Sequence, residues 1–123
     1  MSLFKTVYFH RLAEHEGMSN SQIVEIVKEV EAGLHDGDLG GGVFKKRIAI
    51  RSRGKRGGLR SIIAYKQNDK AIFLYGYAKN VQDNINRNEK EAFKKLSKAY
   101  LILNDLSIKK LLNQGELIEV RYE

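Results

Sequence analysis

The chain has 123 residues, 42% of them hydrophobic and 30% charged, which suits one folded domain with a modest core and excludes a disordered tail. It contains no cysteine, so disulfides, thiolate zinc sites and cysteine nucleophiles are excluded, and no apolar run reaches the roughly 20 residues of a membrane span. The net charge is +7, and it is concentrated: residues 45–60, "KKRIAIRSRGKRGGLR", hold 8 of the 22 basic residues and no acid, leaving 14 basic residues against 15 acids elsewhere.

"LFKTVYF" is rich in β-branched and aromatic residues and predicts a first strand. "HRLAEHEG" predicts a turn or two of helix ended by Gly17. Ser19 and Gln22 form a capping-box pattern, with Met18 and Ile23 spaced as a hydrophobic staple. Ile23, Ile26, Val27, Val30 and Leu34 then make one apolar helical stripe, which the glycines of "GLHDGDLGGG" end. From Val43 the period becomes two. Phe44, Lys46, Ile48 and Ile50 fall on one strand face; Lys45, Arg47, Ala49 and Arg51 fall on the other.

"SRGKRGG" reads as a hairpin loop and "LRSIIAY" as the returning strand. "KQND" turns into "KAIFLYGYA", an apolar central strand, so three strands form an antiparallel meander with the first strand at its edge. A helix is expected near Asn88, capped with the help of Glu91 and burying Phe93, Leu96, Tyr100 and Leu103. Ser107–Gln114 predicts a short helix stopped by Gly115, and "ELIEVRY" a closing strand. The expected class is α+β, with helices covering one face of a small sheet.

Few other motifs carry chemistry. His10, His15 and His35 show neither i,i+4 spacing nor pairing with carboxylates, and read as surface or half-buried residues. "DGDLGGG" lacks the third ligand and terminal Glu of a calcium loop, and "GKRGG" lacks P-loop spacing. The basic ribbon is different. Cations on one strand face and at the start of the next converge within about 5–8 Å, and like charges placed so repel unless an anion sits between them. Gly57 and Gly58 let backbone amides approach a phosphate, and Tyr65, Tyr75 or Tyr77 offers a ring for base stacking. Nucleic acid is the expected partner, gripped along its backbone by Arg51, Arg53, Lys55 and Arg56.

The succession "GGGVFKKRIA", "GKRGGLRSIIAY" and "YGYAKN" resembles the RelE/ParE superfamily of type II toxin–antitoxin toxins across most of the chain, and its HigB-like members in particular. Residues 88–123 resemble the C-terminal extension of one RelE subfamily. The resemblance implies a single domain over 1–123 with the microbial-ribonuclease-like RelE fold: a small, mostly antiparallel, mixed twisted sheet, N-terminal helices on one face, and a C-terminal helical extension with a closing strand. It implies a cytoplasmic, cofactor-free endoribonuclease that cleaves mRNA on the ribosome and so inhibits translation. Implied partners are a cognate antitoxin, mRNA and the ribosome; no membrane is involved, and the oligomeric state is open.

Carried over by position, Lys45 and Arg47 match the family's basic pair, Arg60 the arginine opening the next strand, and Lys79 the lysine after the following one. These four are the candidate catalytic residues. Lys46, Arg51, Arg53, Lys55, Arg56, Tyr77 and Asn80 are the candidate nucleic-acid contacts. In the expected reaction the RNA 2′-hydroxyl attacks the adjacent phosphorus without a metal. Arg60 and Arg47 stabilise the added charge, Lys45 removes the proton, and Lys79 serves as acid or phosphate clamp. Asn80 stands where RelE has an arginine, "DNINR" where it has a tyrosine, and the terminal histidine–aspartate set of some HigB relatives is absent. ParE-like gyrase poisoning and non-catalytic nucleic-acid binding are therefore the alternative readings.

Overall fold

Strand β1 (Ser2–Thr6) is shorter than its sequence suggests, because Thr6 ends it. The Thr6 hydroxyl accepts a hydrogen bond from the Phe9 amide at 3.2 Å and donates one to the Leu74 carbonyl at 3.0 Å. One side chain thus caps helix α1 (Val7–Glu16) and ties it to the sheet. In this computed structural model, which describes residues 1–50 and 58–121, Gly17 closes α1 in the left-handed conformation, as expected. Helix α2 (Asn20–Glu31) starts at Ser19, whose hydroxyl accepts from the Gln22 amide at 3.1 Å. The reciprocal half of the capping box does not form. Gln22 instead donates to the Ala49 carbonyl at 3.0 Å and holds α2 to the end of a strand. Ile23, Ile26, Val27 and Val30 are buried; Leu34 lies past the helix end and is exposed.

The remaining strands are β2 (Gly37–Gly40), β3 (Val43–Ile48), β4 (Leu59–Lys66), β5 (Lys70–Ala78) and β6 (Leu117–Glu119), ordered β2-β3-β4-β5-β1-β6 in one sheet. The β3–β4–β5 meander is antiparallel as expected, and β1 joins β5 in parallel. β1 meets the meander at its β5 edge, as expected, and β6 pairs with the outer side of β1. One expectation changes. The glycine segment after α2 contributes a strand, β2, whose Gly-Asp-Leu-Gly sequence shows no alternation of apolar and polar residues.

Helices cover both faces of the sheet, not one. On the first face α1 and α2 pack Phe9, Ala13, Ile23, Val27 and Val30 against Ile48, Ile63 and Phe73. On the second, α3 (Arg87–Leu101) and α4 (Asp105–Asn113) bring Tyr100 and Ile108 onto Phe4, Val43, Ile62 and Ile72. Each fully buried large side chain contributes about 1.5–3 kcal/mol, so both layers matter to stability. Strands β4 and β5 are apolar at nearly every position because both of their sides are buried, and such a run does not reveal how many faces are covered.

Helix α3 begins two residues before the expected point. Asn86 and Glu89 form a complete capping box, the Asn86 side chain accepting from the Glu89 amide at 2.8 Å and Glu89 accepting from the Asn86 amide at 2.9 Å. At its far end the buried Lys70 ammonium donates to the carbonyls of Leu103 at 2.9 Å and Leu101 at 3.4 Å, and to Asp69 at 3.2 Å. A strand lysine therefore satisfies the last carbonyls of the helix above it.

Candidate nucleic-acid interface

Register brings the candidate residues together. Arg47 of β3 lies directly opposite Arg60 of β4, and Arg60 lies opposite Tyr77 of β5. One row further in, Lys45 faces Ile62 and Ile62 faces Tyr75. Paired residues project to the same side of a sheet, so all of them share the α3 face. Strands lie about 4.8 Å apart, which places Arg47, Arg60 and Tyr77 in a row about 10 Å long.

The tyrosines reach that face through a β-bulge. Ile63 pairs with Phe73 but Ile62 pairs with Tyr75, so Leu74 is an extra residue on β5. Before it, Phe73 points into the α1/α2 core; after it, Tyr75 and Tyr77 point to the α3 side and Gly76 to α1. A methyl at Gly76 would meet Leu12 Cδ2 at 2.6 Å and the Phe9 ring at 3.1 Å, so glycine is what the packing of α1 on β5 allows there.

Tyr77 is only 5% exposed, so it offers the face a hydroxyl edge and not an open ring for stacking. Burial raises its pKa, the nearby Arg60 charge partly opposes that shift, and Glu89 and Asp83 add to it. The net direction is upward, and the hydroxyl is a donor at neutral pH, with Asn84 Oδ1 at 3.4 Å. Tyr75 donates to Gln82 Oε1 at 2.9 Å, and its pKa is pushed up to about 12 by burial, then by its hydrogen bond and charge coupling to Tyr8. The open ring is Tyr8, 53% exposed and stacked 4.9 Å from Tyr75, which packs on Phe93 behind it.

Lys79 and Asn80 are exposed in the turn that follows β5, at the end of the sheet where Ala78 pairs with Leu59. That turn is anchored from below. Gln82 donates to the Asn84 carbonyl at 3.0 Å and to Glu89 at 3.1 Å, joining the loop to the α3 cap. Arg47 is held by Asp36, which accepts from its backbone amide at 2.7 Å and lies 3.8 Å from its Nε. Lys45 extends across Gly37, where a Cβ would lie 3.9 Å from its Cε. Among the described residues, Lys45, Arg60 and Lys79 have no carboxylate within ion-pair distance.

Lys46 is placed differently. Its ammonium lies 2.8 Å from Glu29 of α2, on the face opposite Lys45 and Arg47. Arg51, Arg53, Lys55, Arg56 and Gly57 lie outside the described residues. Gly58 lets β3 and β4 approach: a Cβ there would stand 3.1 Å from the Ile48 carbonyl and 3.8 Å from the Arg60 guanidinium.

Contrary to the sequence reading, two histidines do approach carboxylates, His10 to Glu14 at 3.8 Å and His15 to Glu16 at 3.7 Å. Both pairs sit on α1, apart from the basic row, and His35 rests on Phe44. Among the described residues no group of three or more metal-ligating side chains occurs. In the glycine segment Asp38 accepts from the Gly40 amide at 2.9 Å, the turn role its sequence suggests.

Sequence reasoning missed Asp36, Tyr8, Gln82 and Glu89. The Asp36–Arg47 contact spans eleven positions with no local pattern to mark it, and Tyr8 was absorbed into the first strand. Only Glu89 had a visible signal, as the third residue after Asn86.

Two arginines directly opposed on a sheet repel, and the row gains stability when an anion neutralises them. A phosphodiester fits the chemistry: guanidinium forks bind its oxygens, and a protonated phenol adds a donor. The sequence model of a family described as the RelE toxin of the RelE / RelB toxin–antitoxin system matches residues 1–120, a span that includes every element from β1 to β6. No curated protein matches the chain.

Proposed function

Because the chain belongs to the RelE family, the toxins of toxin–antitoxin systems whose activity a cognate antitoxin restrains, we propose that it cleaves mRNA on the ribosome and thereby stops translation. The observation that carries this reading is the Arg47–Arg60–Tyr77 row, in which Arg60, like Lys45 and Lys79 beside it, has no carboxylate within ion-pair distance among the described residues. A HigB-like subfamily, a single domain over 1–123 and action in the cytoplasm belong to the same proposal. Among the described residues no helix is long and apolar enough to cross a membrane.

The proposed step is transesterification. The RNA 2′-oxygen forms a bond to phosphorus, the bond from phosphorus to the 5′-oxygen breaks, and a 2′,3′-cyclic phosphate remains. One proton leaves the 2′-hydroxyl and one reaches the departing 5′-oxygen, so the reaction balances with no further reactant. Arg60 and Arg47 bind the non-bridging oxygens as charge accumulates on them. Lys45, next to Arg47 on the same face, takes the first proton; Lys79 at the strand end supplies the second or clamps the phosphate. The Tyr77 hydroxyl supports Arg60. Asn80 contacts the strand beside Lys79, and Arg51, Arg53, Lys55 and Arg56 hold flanking backbone.

One observation favours a second reading. The loop from Lys79 to Asn86 carries no tyrosine, and its polar side chains Gln82 and Asn84 are occupied by Tyr75 and Tyr77. ParE-like gyrase poisoning or plain RNA binding needs no catalytic tyrosine. Induction in growing cells, with mapping of mRNA ends and of gyrase-linked DNA breaks, separates these. Growth arrest with mRNA cleavage that Arg60→Ala abolishes is the expected result; arrest with DNA breaks, or full toxicity of Arg60→Ala, overturns the proposal.

A further inference from the structure

The structure shows a second basic surface that the linear charge count conceals. Helix α3 carries Arg87, Lys90, Lys94, Lys95 and Lys98 against only Glu89 and Glu91, and Glu89 is committed to the helix cap and to Gln82. Helices α1 and α2 reverse this balance, with Glu14, Glu16, Glu25, Glu29 and Glu31 against Arg11 and Lys28. Summed over the sequence outside residues 45–60 these charges nearly cancel. In space they separate, the acids on one side of the sheet and the cations on the other.

Lys90, Lys94 and Lys98 recur every fourth residue and so form one stripe, with steps of about 6 Å along the helix. The stripe lies beside the sheet's glycine strand. The Lys94 chain runs over Gly40 and Gly41, its ammonium 3.4 Å from where a Gly40 Cβ would be. Lys45 crosses Gly37 on the same face three residues away. Three residues of strand span about 10 Å, so the stripe on α3 and the basic row on the sheet adjoin across β2. Any larger side chain at Gly37 or Gly40 would occupy the surface these two lysines cover.

We infer that Lys90, Lys94 and Lys98 form a rail that binds the phosphate backbone of the RNA strand where it leaves the Arg47–Arg60 row, lengthening the site across β2 and along α3. This rests on the ribonuclease reading. The charge separation selects the face from which a polyanion approaches, and Gly37 and Gly40 let the Lys45 and Lys94 chains lie across β2 on either side of Leu39, so the two sets of cations meet there. Of the stripe, only Lys94 has a carboxylate near it among the described residues, Glu91 at 4.0 Å. The rail therefore meets a polyanion without first giving up strong ion pairs.

The test is the salt dependence of binding by the full chain to a 2′-O-methyl dodecanucleotide, which lacks the nucleophile and stays intact. Wild type, the triple variant Lys90→Gln/Lys94→Gln/Lys98→Gln, and Arg60→Ala are compared, with thermal unfolding confirming that each is folded. Three lost phosphate contacts should make the log–log slope shallower by about 2, and Arg60→Ala by about 0.7. A wild-type slope in the triple variant, with Arg60→Ala impaired, overturns the rail and leaves the site. Absence of salt-dependent binding by wild type overturns both. If the triple variant keeps its RNA slope but loses binding to poly-glutamate, α3 is a docking surface for an acidic protein and the rail is wrong.

Discussion

Arg60 and Tyr77 stand opposite one another on β4 and β5, and the guanidinium charge acts on the phenol that burial otherwise holds protonated. A cation and a neutral donor thus occupy neighbouring positions on one face. In the proposed reaction both act on the same phosphate. If they act as a unit, their effects on cleavage are not additive.

Arg60→Ala should lower cleavage by about 100- to 1000-fold, the usual loss for one preorganised donor. Tyr77→Phe keeps the buried ring and should lower it by a smaller factor while leaving thermal stability nearly unchanged. The double variant should be scarcely worse than Arg60→Ala alone. Multiplication of the two losses in single-turnover assays would show that the residues act separately.

Lys45 and Lys46 are adjacent in sequence but face opposite ways, Lys46 bonded to Glu29 across the α2 side. Lys45→Gln should weaken RNA binding and cleavage. Lys46→Gln should leave both within about twofold and cost at most about 1 kcal/mol of stability, since its Glu29 partner is half exposed. Equal losses of binding in the two variants would contradict the face assignment.

Removal of the Lys70 ammonium should loosen α3. Lys70→Met leaves the carbonyls of Leu101 and Leu103 without their donor and should destabilise the chain by about 1–3 kcal/mol in denaturant unfolding. Amide exchange should increase first in the last turn of α3. Unchanged protection there would mean that water replaces the ammonium at little cost.

Alkaline pH should unfold the protein through its tyrosines. Burial, followed by Tyr8, pushes Tyr75 up to about 12; burial, followed by the Glu116 carboxylate that accepts its hydroxyl at 3.2 Å, does the same to Tyr100. An unfolded tyrosine ionises near pH 10, so above that pH the unfolded chain releases protons that the folded chain retains. Stability from these groups is complete below about pH 10 and is lost as pH rises through about 12. The unfolding midpoint should fall across that window and fall less steeply in Tyr75→Phe; identical slopes would remove Tyr75 from the account.

Legibility in the sequence followed the side chains. The alternation of β3 separated Lys45 and Arg47 from Phe44 and Ile48 correctly, because Phe44 and Ile48 pack on the α1/α2 core while Lys45 and Arg47 project to the other side of the sheet. Thr6 escaped notice because a β-branched residue suits a strand and an N-cap equally well, and only the Leu74 contact decides between them. Asn86 and Asn88 each have a glutamate three residues on, and the choice between them depends on Gln82, which reaches Glu89 from outside the helix. The separation of charge between faces was invisible for a similar reason: acids and cations that cancel along the chain lie on different layers.

Strand β5 makes the site depend on counting as well as on chemistry. Leu74 is the surplus position, so deleting it would leave Ile63 opposite Phe73 and Ile62 opposite Tyr75, with both tyrosines still on the α3 side. Deleting Gly76 instead would turn Tyr77 into the space of Phe9 and Leu12 and leave no tyrosine opposite Arg60. Spacing on β5 beyond the bulge is therefore under the same constraint as the arginines themselves, and a chain that kept every basic residue but lost the position between Tyr75 and Tyr77 would keep the charge of this face without its architecture.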